Sequence, residues 1–379
     1  MAYVSVLKCS KYDKQVLEIV DEALNLVKAD KKFKKGMKVL IKPNILASAD
    51  PSKGITTHPL IIEGIIKYLK KFDVKIFIGE STGSGSAKGT KKAFETSGIA
   101  SVARKNQVKL INFDEGKQLV KKNNKSVVMK NVVISESLNE MDLIISACKL
   151  KTHMLTGYTG AVKNMFGIMP GRSKINAHAL GNTLKKFNNV VLDIYLARIP
   201  EICLMDAVIG MEGNGPSSGK LKQTDLIIAS DNALALDLVA SKIIGFKTEE
   251  LGFLKLAKKR KMIPKKIVVK GLKNVSVPYK KPMSYQIGFI GGVANKLIGS
   301  LQSTFEVDKK NCEKCGYCVR ACPEKTICMK KKNNHFPEWD ESKCIMCYCC
   351  HELCPYDAII LKKPLIMRLV DKFVKRFDD

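Results

Sequence analysis

The chain has 379 residues, with 65 Lys plus Arg against 36 Asp plus Glu, and 13 cysteines. At about 100–200 residues per domain, this length excludes a single small domain. A content of 45% hydrophobic and 27% charged residues excludes wholesale disorder. We find neither the roughly 18 uncharged apolar residues of a membrane-spanning helix nor a secretory signal. We therefore expect a cytoplasmic protein whose reduced cysteines serve metal or redox chemistry rather than disulfides.

The net charge of +29 would suit a nucleic-acid partner. However, only seven of the basic residues are Arg, and base recognition relies strongly on Arg. A solvated, lysine-rich surface accounts for the same excess. Nucleic-acid binding is therefore the less favoured interpretation of the charge.

Residues 1–280 alternate short β-branched runs with amphipathic helical segments. The predicted strands are 38–42, 74–79, 108–113, 142–147, 201–206 and 225–230. The predicted helices are 14–28, 59–70, 91–105, 233–244 and 249–260. This alternation predicts an α/β domain with a mainly parallel sheet. Ligands of such folds bind at the turns that follow the strands.

The alternation ends near residue 280, and we assign residues 281–305 to a connector. Ten of the 13 cysteines lie from Cys312 to Cys354, which predicts a small α+β domain over residues 306–363. In residues 364–379, apolar side chains recur at helical spacing among basic ones. This tail is predicted to be an amphipathic helix that docks on protein, with peripheral contact to a membrane surface as the alternative.

The cysteines of the second domain form two runs with identical spacing. The runs are Cys312-x2-Cys315-x2-Cys318-x3-Cys322-Pro323 and Cys344-x2-Cys347-x2-Cys350-x3-Cys354-Pro355, offset by 32 residues. This spacing is typical of bacterial-type ferredoxin modules with two [4Fe–4S] clusters, in which the fourth cysteine ligates the other cluster. The predicted sets are Cys312, Cys315, Cys318 and Cys354, and Cys344, Cys347, Cys350 and Cys322. Paired zinc sites are the alternative, but zinc does not explain the repeated third and fourth cysteines.

Five cysteines lie outside these sets. Cys349 precedes Cys350 and would compete as a ligand after a slip of one residue, but the repeat selects Cys350. The others, Cys9, Cys148, Cys203 and Cys328, are predicted to pack as ordinary free cysteines.

Several segments of the first domain are polar or glycine-rich where strands meet helices. They are residues 42–44, 57–59, 79–85, 149–153, 157–164, 206–216 and 231–237. From about Val39 to Leu361 the chain resembles the domain-of-unknown-function family 362, and the segment Gly210–Pro216 is the most specific part of this likeness. The resemblance implies an α/β domain fused to a two-cluster ferredoxin module, and it implies no particular reaction.

A second resemblance is local. The stretch His153-x3-Gly157-Tyr158-Thr159-Gly160-x2-Lys163, with His178 beyond it, is similar to a segment of nickel-dependent lactate racemases. In that family, the matching residues are a catalytic histidine, a lysine that tethers a nickel pincer cofactor, and a metal-ligating histidine. The resemblance implies these positions for His153, Lys163 and His178. The rest of the racemase signature is not evident, so it does not imply the nickel reaction.

The residues themselves also indicate a site here. His153 and His178 flank a Gly-Tyr-Thr-Gly turn, with Lys151 and Lys163 nearby. Lysines would hold an anionic substrate while a histidine transfers protons. The alternative is that each histidine is structural.

A separate candidate follows the strand at residues 74–79. There Gly83, Ser84 and Gly85 would bind an anion on their backbone N–H groups. The alternative is a plain flexible connection.

Together these features predict an iron–sulfur protein that transfers electrons through two [4Fe–4S] clusters to or from a site in the α/β domain. The predicted activity is an oxidoreductase acting on an anionic small molecule. The alternatives are a non-catalytic electron carrier or assembly factor, and a nucleic-acid-binding iron–sulfur protein. The expected partners are a redox protein or an anionic small molecule, and no further cofactor is assignable.

Overall fold

The computed structural model describes residues 1–285 and 304–362. The chain divides into two compact units, residues 1–282 and 283–379. The predicted tail helix at 364–379 lies outside the described residues, as does most of the predicted connector at 281–305. Among the described residues, no helix is long and apolar enough to cross a membrane.

Within residues 1–285, nine strands form one mixed sheet. These strands are β1 (Ala2–Lys8), β2 (Lys38–Pro43), β3 (Lys75–Glu80), β4 (Lys109–Asn112), β7 (Leu143–His153), β8 (Gly157–Thr159), β9 (Ile202–Glu212), β10 (Lys220–Ser230) and β11 (Ile267–Gly271). The order across the sheet is β11-β1-β10-β9-β7-β2-β3-β4, with β8 paired to β7. Strands β5 (Gln118–Lys122) and β6 (Asn131–Ser135) form a separate hairpin.

Helices connect these strands. They are α1 (Gln15–Leu26), α2 (Pro59–Leu69), α3 (Ala87–Thr96), α4 (Ile99–Asn106), α5 (Ala161–Asn164), α6 (Ser173–Leu180), α7 (Leu184–Ala197), α8 (Ala233–Ile243) and α9 (Gly252–Lys259). The single helix predicted at 91–105 is two helices, because Gly98 takes a φ of 74° between them.

Helix α2 shows how local sequence builds this layer. His58 accepts the Leu60 N–H as N-cap, and Pro59 occupies the first helical position. Ile61 and Ile65 then repeat at helical spacing and are fully buried against the sheet and α1.

The sheet is mainly parallel, as predicted. Strands β2, β3 and β4 are parallel, as are β2, β7 and β9, whereas β10 runs antiparallel between β9 and β1. The chain passes from β2 outward to β3 and β4, and then returns to place β7 on the other side of β2. The topological switch point therefore lies between β2 and β7, where the carboxyl ends of strands form a ligand crevice in such folds.

Strand β7 is longer than predicted. The segment 149–153, expected to follow a strand, is its last part, and it pairs with β8 as a hairpin. Because side chains alternate along a strand, Lys149, Lys151 and His153 share one face. All eleven residues of β7 are buried, so neither face of the strand is exposed to solvent. The alternation of polar and apolar residues that marks a half-exposed strand is therefore absent from its sequence.

The second unit has the predicted α+β ferredoxin fold. Its elements are β12 (Thr304–Val307), α10 (Tyr317–Ala321), β13 (Ile327–Met329), β14 (Pro337–Trp339), α11 (Cys349–Glu352) and β15 (Ile359–Lys362). Each cysteine run thus lies in a strand–helix–strand repeat. The repeats interlock, because β12 pairs with β15 and β13 pairs with β14, both antiparallel.

Candidate functional site

Eight cysteines of the second unit line two separate cavities. Cys312, Cys315, Cys318 and Cys354 line one cavity, and Cys322, Cys344, Cys347 and Cys350 line the other. Each cavity combines three thiols of one run with the fourth thiol of the other run, since the strand before each run pairs with the strand after the other.

The surroundings of these cysteines would stabilise thiolates that bind a metal cluster. The N–H of Thr326 lies 3.3 Å from Cys322 Sγ, and the N–H of Ala358 lies 3.3 Å from Cys354 Sγ, at equivalent positions of the repeat. Burial raises the pKa of the Cys318 thiol to about 11, so a buried thiolate there needs metal cations beside it.

The described residues hold no group of three or more His, Cys, Asp or Glu arranged for a single metal ion. A cubane cluster has its four irons at separate corners and spreads its thiolate ligands more widely than one ion does. The two four-cysteine cavities fit a cluster of that kind.

In the first unit, a buried ion pair marks the ends of β2 and β3. Lys42 Nζ donates to Glu80 Oε2 at 2.8 Å, and both side chains are buried. Asn164 of α5 accepts from Lys42 Nζ at 3.3 Å and donates to Ser146 Oγ at 3.0 Å. A Cβ on Gly167 would lie 2.0 Å from Glu80 Oε1, so the backbone after α5 packs directly on the pair.

A second buried pair lies where β7 and β9 run side by side. Lys149 Nζ donates to Asp206 Oδ2 at 2.9 Å, and the Tyr12 hydroxyl donates to Asp206 Oδ1 at 2.7 Å. The His58 N–H also donates to Asp206, and the His58 ring stacks on Tyr12 with centroids 3.8 Å apart. Asp206 therefore fixes the ends of two loops against the sheet, and burial lowers the pKa of His58 despite this neighbouring carboxylate.

Lys174 of α6 is a partly buried cation that the sequence analysis missed. Its Nζ donates to Ser81 O, to Ser81 Oγ at 2.5 Å and to Thr82 O at 2.8 Å. Asp114 holds the same loop by accepting from the Ser81 and Thr90 hydroxyls, both at 2.6 Å. Burial lowers the pKa of Lys174 to about 8, while the charges of Asp114 and Glu80 act in the opposite direction. No sequence motif marks this lysine.

Lys151 and His153 lie on the same face of β7. Lys151 Nζ donates to Ile55 O at 2.8 Å. His153 Nδ1 accepts the N–H groups of Leu155 and Thr156, at 3.0 and 3.4 Å, which places the ring proton of the neutral form on Nε2. The histidine thereby fixes the turn between β7 and β8.

Lys163 and His178 meet around an aromatic ring. Lys163 Nζ lies 5.5 Å from the Phe166 centroid, and His178 packs 5.4 Å from Phe166 and 4.7 Å from Phe187. Burial and the Lys163 charge lower the pKa of His178 to about 3. Its Nδ1 is buried without a hydrogen-bond partner among the described residues. This environment favours a neutral packing residue over the predicted proton-transfer role.

The Gly-Tyr-Thr-Gly turn has a structural explanation. Asp237 of α8 accepts the N–H groups of Ala161 and Val162, at 2.7 and 3.0 Å, and the Tyr158 hydroxyl at 3.2 Å. A Cβ on Gly160 would lie 2.1 Å from Asp237 Oδ1. Burial raises the pKa of Asp237 to about 7 although these donors oppose it. The glycine thus lets a buried carboxyl group cap the start of α5.

The loop predicted to bind an anion uses its donors internally. The N–H groups of residues 83, 84 and 85 donate to Leu46 O, Thr82 Oγ1 and Thr82 O, at 2.9, 3.4 and 3.2 Å. Ser86 caps α3 by accepting the Gly89 N–H at 3.2 Å. An anion would have to displace these acceptors, so the geometry does not support the predicted cradle.

Two family models match the chain. The model described as a domain of unknown function (DUF362) matches residues 39–242, and the model described as a 4Fe-4S dicluster domain matches residues 311–358. The chain belongs to the DUF362 family. Both parts of the predicted family resemblance are confirmed. The DUF362 match contains both buried ion pairs, and the dicluster match contains all eight repeated cysteines and indicates 4Fe–4S clusters that serve electron transfer.

Two curated relatives match shares of the DUF362 chain that differ in length. The thylakoid-associated protein sll1697 of Synechocystis sp. is 28% identical over 212 residues, which is 56% of this chain and 64% of that protein. NADH-quinone oxidoreductase subunit I of Pelobacter propionicus is 50% identical over 36 residues, 10% of this chain and 19% of that subunit. The chain therefore spans less than two thirds of either relative.

Among solved structures, the lactate racemase apoprotein of Thermoanaerobacterium thermosaccharolyticum matches 64% of this chain and 56% of its own. The identity is 15% and the TM-score is 0.43, values that carry no weight for activity.

Proposed function

We propose that this DUF362 protein is a cytoplasmic iron–sulfur oxidoreductase that carries two [4Fe–4S] clusters and acts on an anionic small molecule. The observation that carries the proposal is the pair of cavities in the second unit. Each has four cysteine thiols, three from one run and the fourth from the other. This arrangement is the one that a two-cluster ferredoxin module requires.

The proposed ligands follow from the cavity linings. One cluster would be held by Cys312, Cys315, Cys318 and Cys354, and the other by Cys344, Cys347, Cys350 and Cys322. When bound, each cluster supplies one-electron exchange. The protein's part is to stabilise the thiolates, and the N–H groups of Thr326 and Ala358 are placed for it.

A lysine near the ends of β2 and β3 supports an anionic substrate. The positive charge of Lys42 is balanced by Glu80, and Asp114 accepts hydrogen bonds from hydroxyl and backbone N–H groups. Lys174 donates to neutral oxygens, so this region holds a partly buried ammonium group with no carboxylate of the described residues at hydrogen-bond distance. A lysine of this kind attracts a carboxylate or a phosphate.

Of the predicted catalytic residues, we infer that Lys163 contacts the ligand. It is half-buried on α5, next to Asn164, whereas Lys151, His153 and His178 are buried. We assign these three residues to holding the β7–β8 turn and the packing of α6. The substrate-binding lysines would then be Lys163 and Lys174.

The cluster assignment is tested by iron and sulfide analysis of the full chain, purified or reconstituted anaerobically. We expect about eight iron and eight sulfide per chain. About two iron per chain, or zinc in their place, would contradict it.

The substrate assignment is tested by native mass spectrometry of the anaerobically purified protein. We expect a bound anionic molecule in the wild type that is lost in Lys163→Met and retained in the matched control Lys92→Met, an exposed lysine of α3. An absence of bound anion in a protein with intact clusters would favour the non-catalytic carrier.

A further inference from the structure

The two cysteine cavities occupy equivalent positions of the repeat but carry opposite charge. Residues 32 positions apart correspond to each other. Around the first cavity (Cys312, Cys315, Cys318 and Cys354) the basic residues are Lys309, Lys314 and Arg320. Around the second cavity (Cys322, Cys344, Cys347 and Cys350) the corresponding residues are Glu341, Met346 and Glu352. The repeat thus replaces three cations by two carboxylates and a thioether.

The three basic side chains form a rim at the first cavity. Lys314 lines the cavity, with its Nζ 4.6 Å from the Phe336 centroid, and Lys309 Nζ lies 5.5 Å from the same ring. Arg320 Nη1 donates to Cys315 O at 3.2 Å. All three basic residues are exposed, and so is Cys315. We call Lys309, Lys314 and Arg320 the basic rim.

Tyr317 and Tyr356 line the first cavity, and three aromatic rings line the second. Phe305, Trp339 and Tyr348 line it, and the Phe305 centroid lies 6.0 Å from that of Trp339 and 5.8 Å from that of Tyr348. Glu352 is buried beside this cavity, where its charge acts on Cys347. The positions around the second cavity are therefore more negative than the corresponding positions around the first.

This asymmetry has two physical consequences. Reduction adds negative charge to a cluster that already has four thiolate ligands, so nearby cations and solvent stabilise the reduced state, while nearby carboxylates oppose it. A basic rim around an exposed ligand also attracts an acidic protein and orients it during encounter. Both effects favour electron exchange at the first site.

We propose that the first site is the electron-exchange face of the module, where an acidic one-electron carrier protein docks on the basic rim. The cluster at this site then has the higher midpoint potential of the two. In the exchange, the carrier loses one electron and the cluster core gains it, or the reverse, and no bond forms or breaks. This inference rests on the proposed two-cluster function.

The test uses the reconstituted full chain and a flavodoxin of net negative charge, reduced to its hydroquinone. The rim variant is Lys309→Glu/Lys314→Glu, and the matched control is Lys325→Glu/Lys343→Glu. Each pair consists of two exposed lysines, and one lysine of each pair has a positive φ (Lys314 at 53°, Lys325 at 54°). The two double substitutions change the net charge by the same amount. The control pair lies in the segments that contribute Cys322 and Cys344 to the second cavity.

At low ionic strength, we expect the rim variant to lower the second-order rate of cluster reduction by about 10-fold or more, and the control to change it much less. The wild-type rate should also fall with added salt, because the Debye length shortens from about 10 Å at 0.1 M to about 3 Å at 1 M. In a redox titration followed by electron paramagnetic resonance, the rim variant should lower the midpoint of the more easily reduced cluster.

Equal losses in the two variants, a rate insensitive to salt, or a shift confined to the lower-potential cluster would overturn the inference. Iron analysis separates this failure from that of the proposed function. A chain without about eight iron contradicts the two-cluster proposal, whereas intact clusters that ignore the rim charges contradict only the docking face.

Discussion

The two units organise their functional residues in different ways. In the second unit, the eight cysteines that line the cavities lie within the short stretch from Cys312 to Cys354, at a spacing visible in the sequence. In the first unit, the polar groups that meet at the sheet edge come from distant segments. Lys42 and Asn164, for example, are in contact although they are 122 residues apart. A spacing motif identifies the first kind of site, and only contacts in the fold identify the second.

This contrast predicts different responses to substitution. A residue of a spacing motif has one chemical role, and its loss should remove a defined part of the bound group. A residue of the sheet edge is part of a buried network, and its loss should appear first as lost stability. Four experiments test the contrast.

The largest effect is expected for Cys318→Ser, which removes a thiolate from the first cavity. We expect the iron content to fall from about eight to about four per chain, because a hydroxyl group does not replace a cluster thiolate. Cys328→Ser is the control, since Cys328 is exposed on β13 and lines neither cavity. Full iron content in Cys318→Ser, or the same loss in the control, would show that the spacing does not identify the ligands.

The next largest effect is expected for Asp206→Asn, which leaves Lys149 buried beside a neutral group. Removing one partner of a buried pair costs about 3–5 kcal/mol of unfolding free energy. Chemical denaturation followed by circular dichroism measures it. Glu95→Gln, at the exposed pair with Arg104, serves as the control and should change stability little. A similar result for both variants would mean that burial does not distinguish the pairs.

A smaller effect is expected from the titration of His178. Its pKa is about 3 in the folded protein and 6.5 in an unfolded chain, so in this range the unfolded state binds a proton that the folded state does not. The stability that the neutral ring contributes is fully present above pH 6.5 and is lost as the pH falls towards 3.

From pH 6.5 to about pH 5, the unfolding free energy of the wild type should therefore fall by about 2 kcal/mol more than that of His178→Leu. Denaturation curves at several pH values give both quantities. Parallel pH profiles of the two proteins would show that His178 titrates normally in the fold.

The smallest effect is expected at the glycine-rich loop. Ser86→Ala removes the cap of α3 and should cost about 1 kcal/mol, which a lower Tm would show. Because the loop's N–H groups already have acceptors, phosphate should raise the Tm of the wild type no more than chloride at the same ionic strength. A Tm increase specific to phosphate and abolished by changing the loop would restore the anion-binding hypothesis.

Elements with a strong local signal were predictable. Helix α2 and the strands β2 and β3 fall within one or two residues of the predicted bounds, because their apolar periodicity and capping residues are local. The polar half of β7 was not predictable, because lysines are expected at the surface. Lys149 and Lys151 are buried only because groups on another strand and a loop accept hydrogen bonds from them. Strand β1 and helices α6 and α7 were missed as well.

The residues of the candidate site also differ in how far the sequence revealed them. The motif residues Gly160 and Asp237 were noticed, but the sequence could not show that they contact each other to cap a helix. Lys174 was not noticed, because nothing in its neighbourhood sets it apart from the many surface lysines. His153 and His178 were noticed beside the Gly-Tyr-Thr-Gly turn, yet the first holds a local turn and the second packs against aromatic rings.

By itself, the sequence determined the α/β class, the family resemblance and the repeated cysteine spacing, because periodicity and ligand spacing are properties of neighbouring residues. Only the tertiary structure decided which of the 65 basic residues are buried and which carboxylates pair with them. The physical reason is that desolvation and charge pairing depend on what the fold brings close, and distances in space are not distances along the chain.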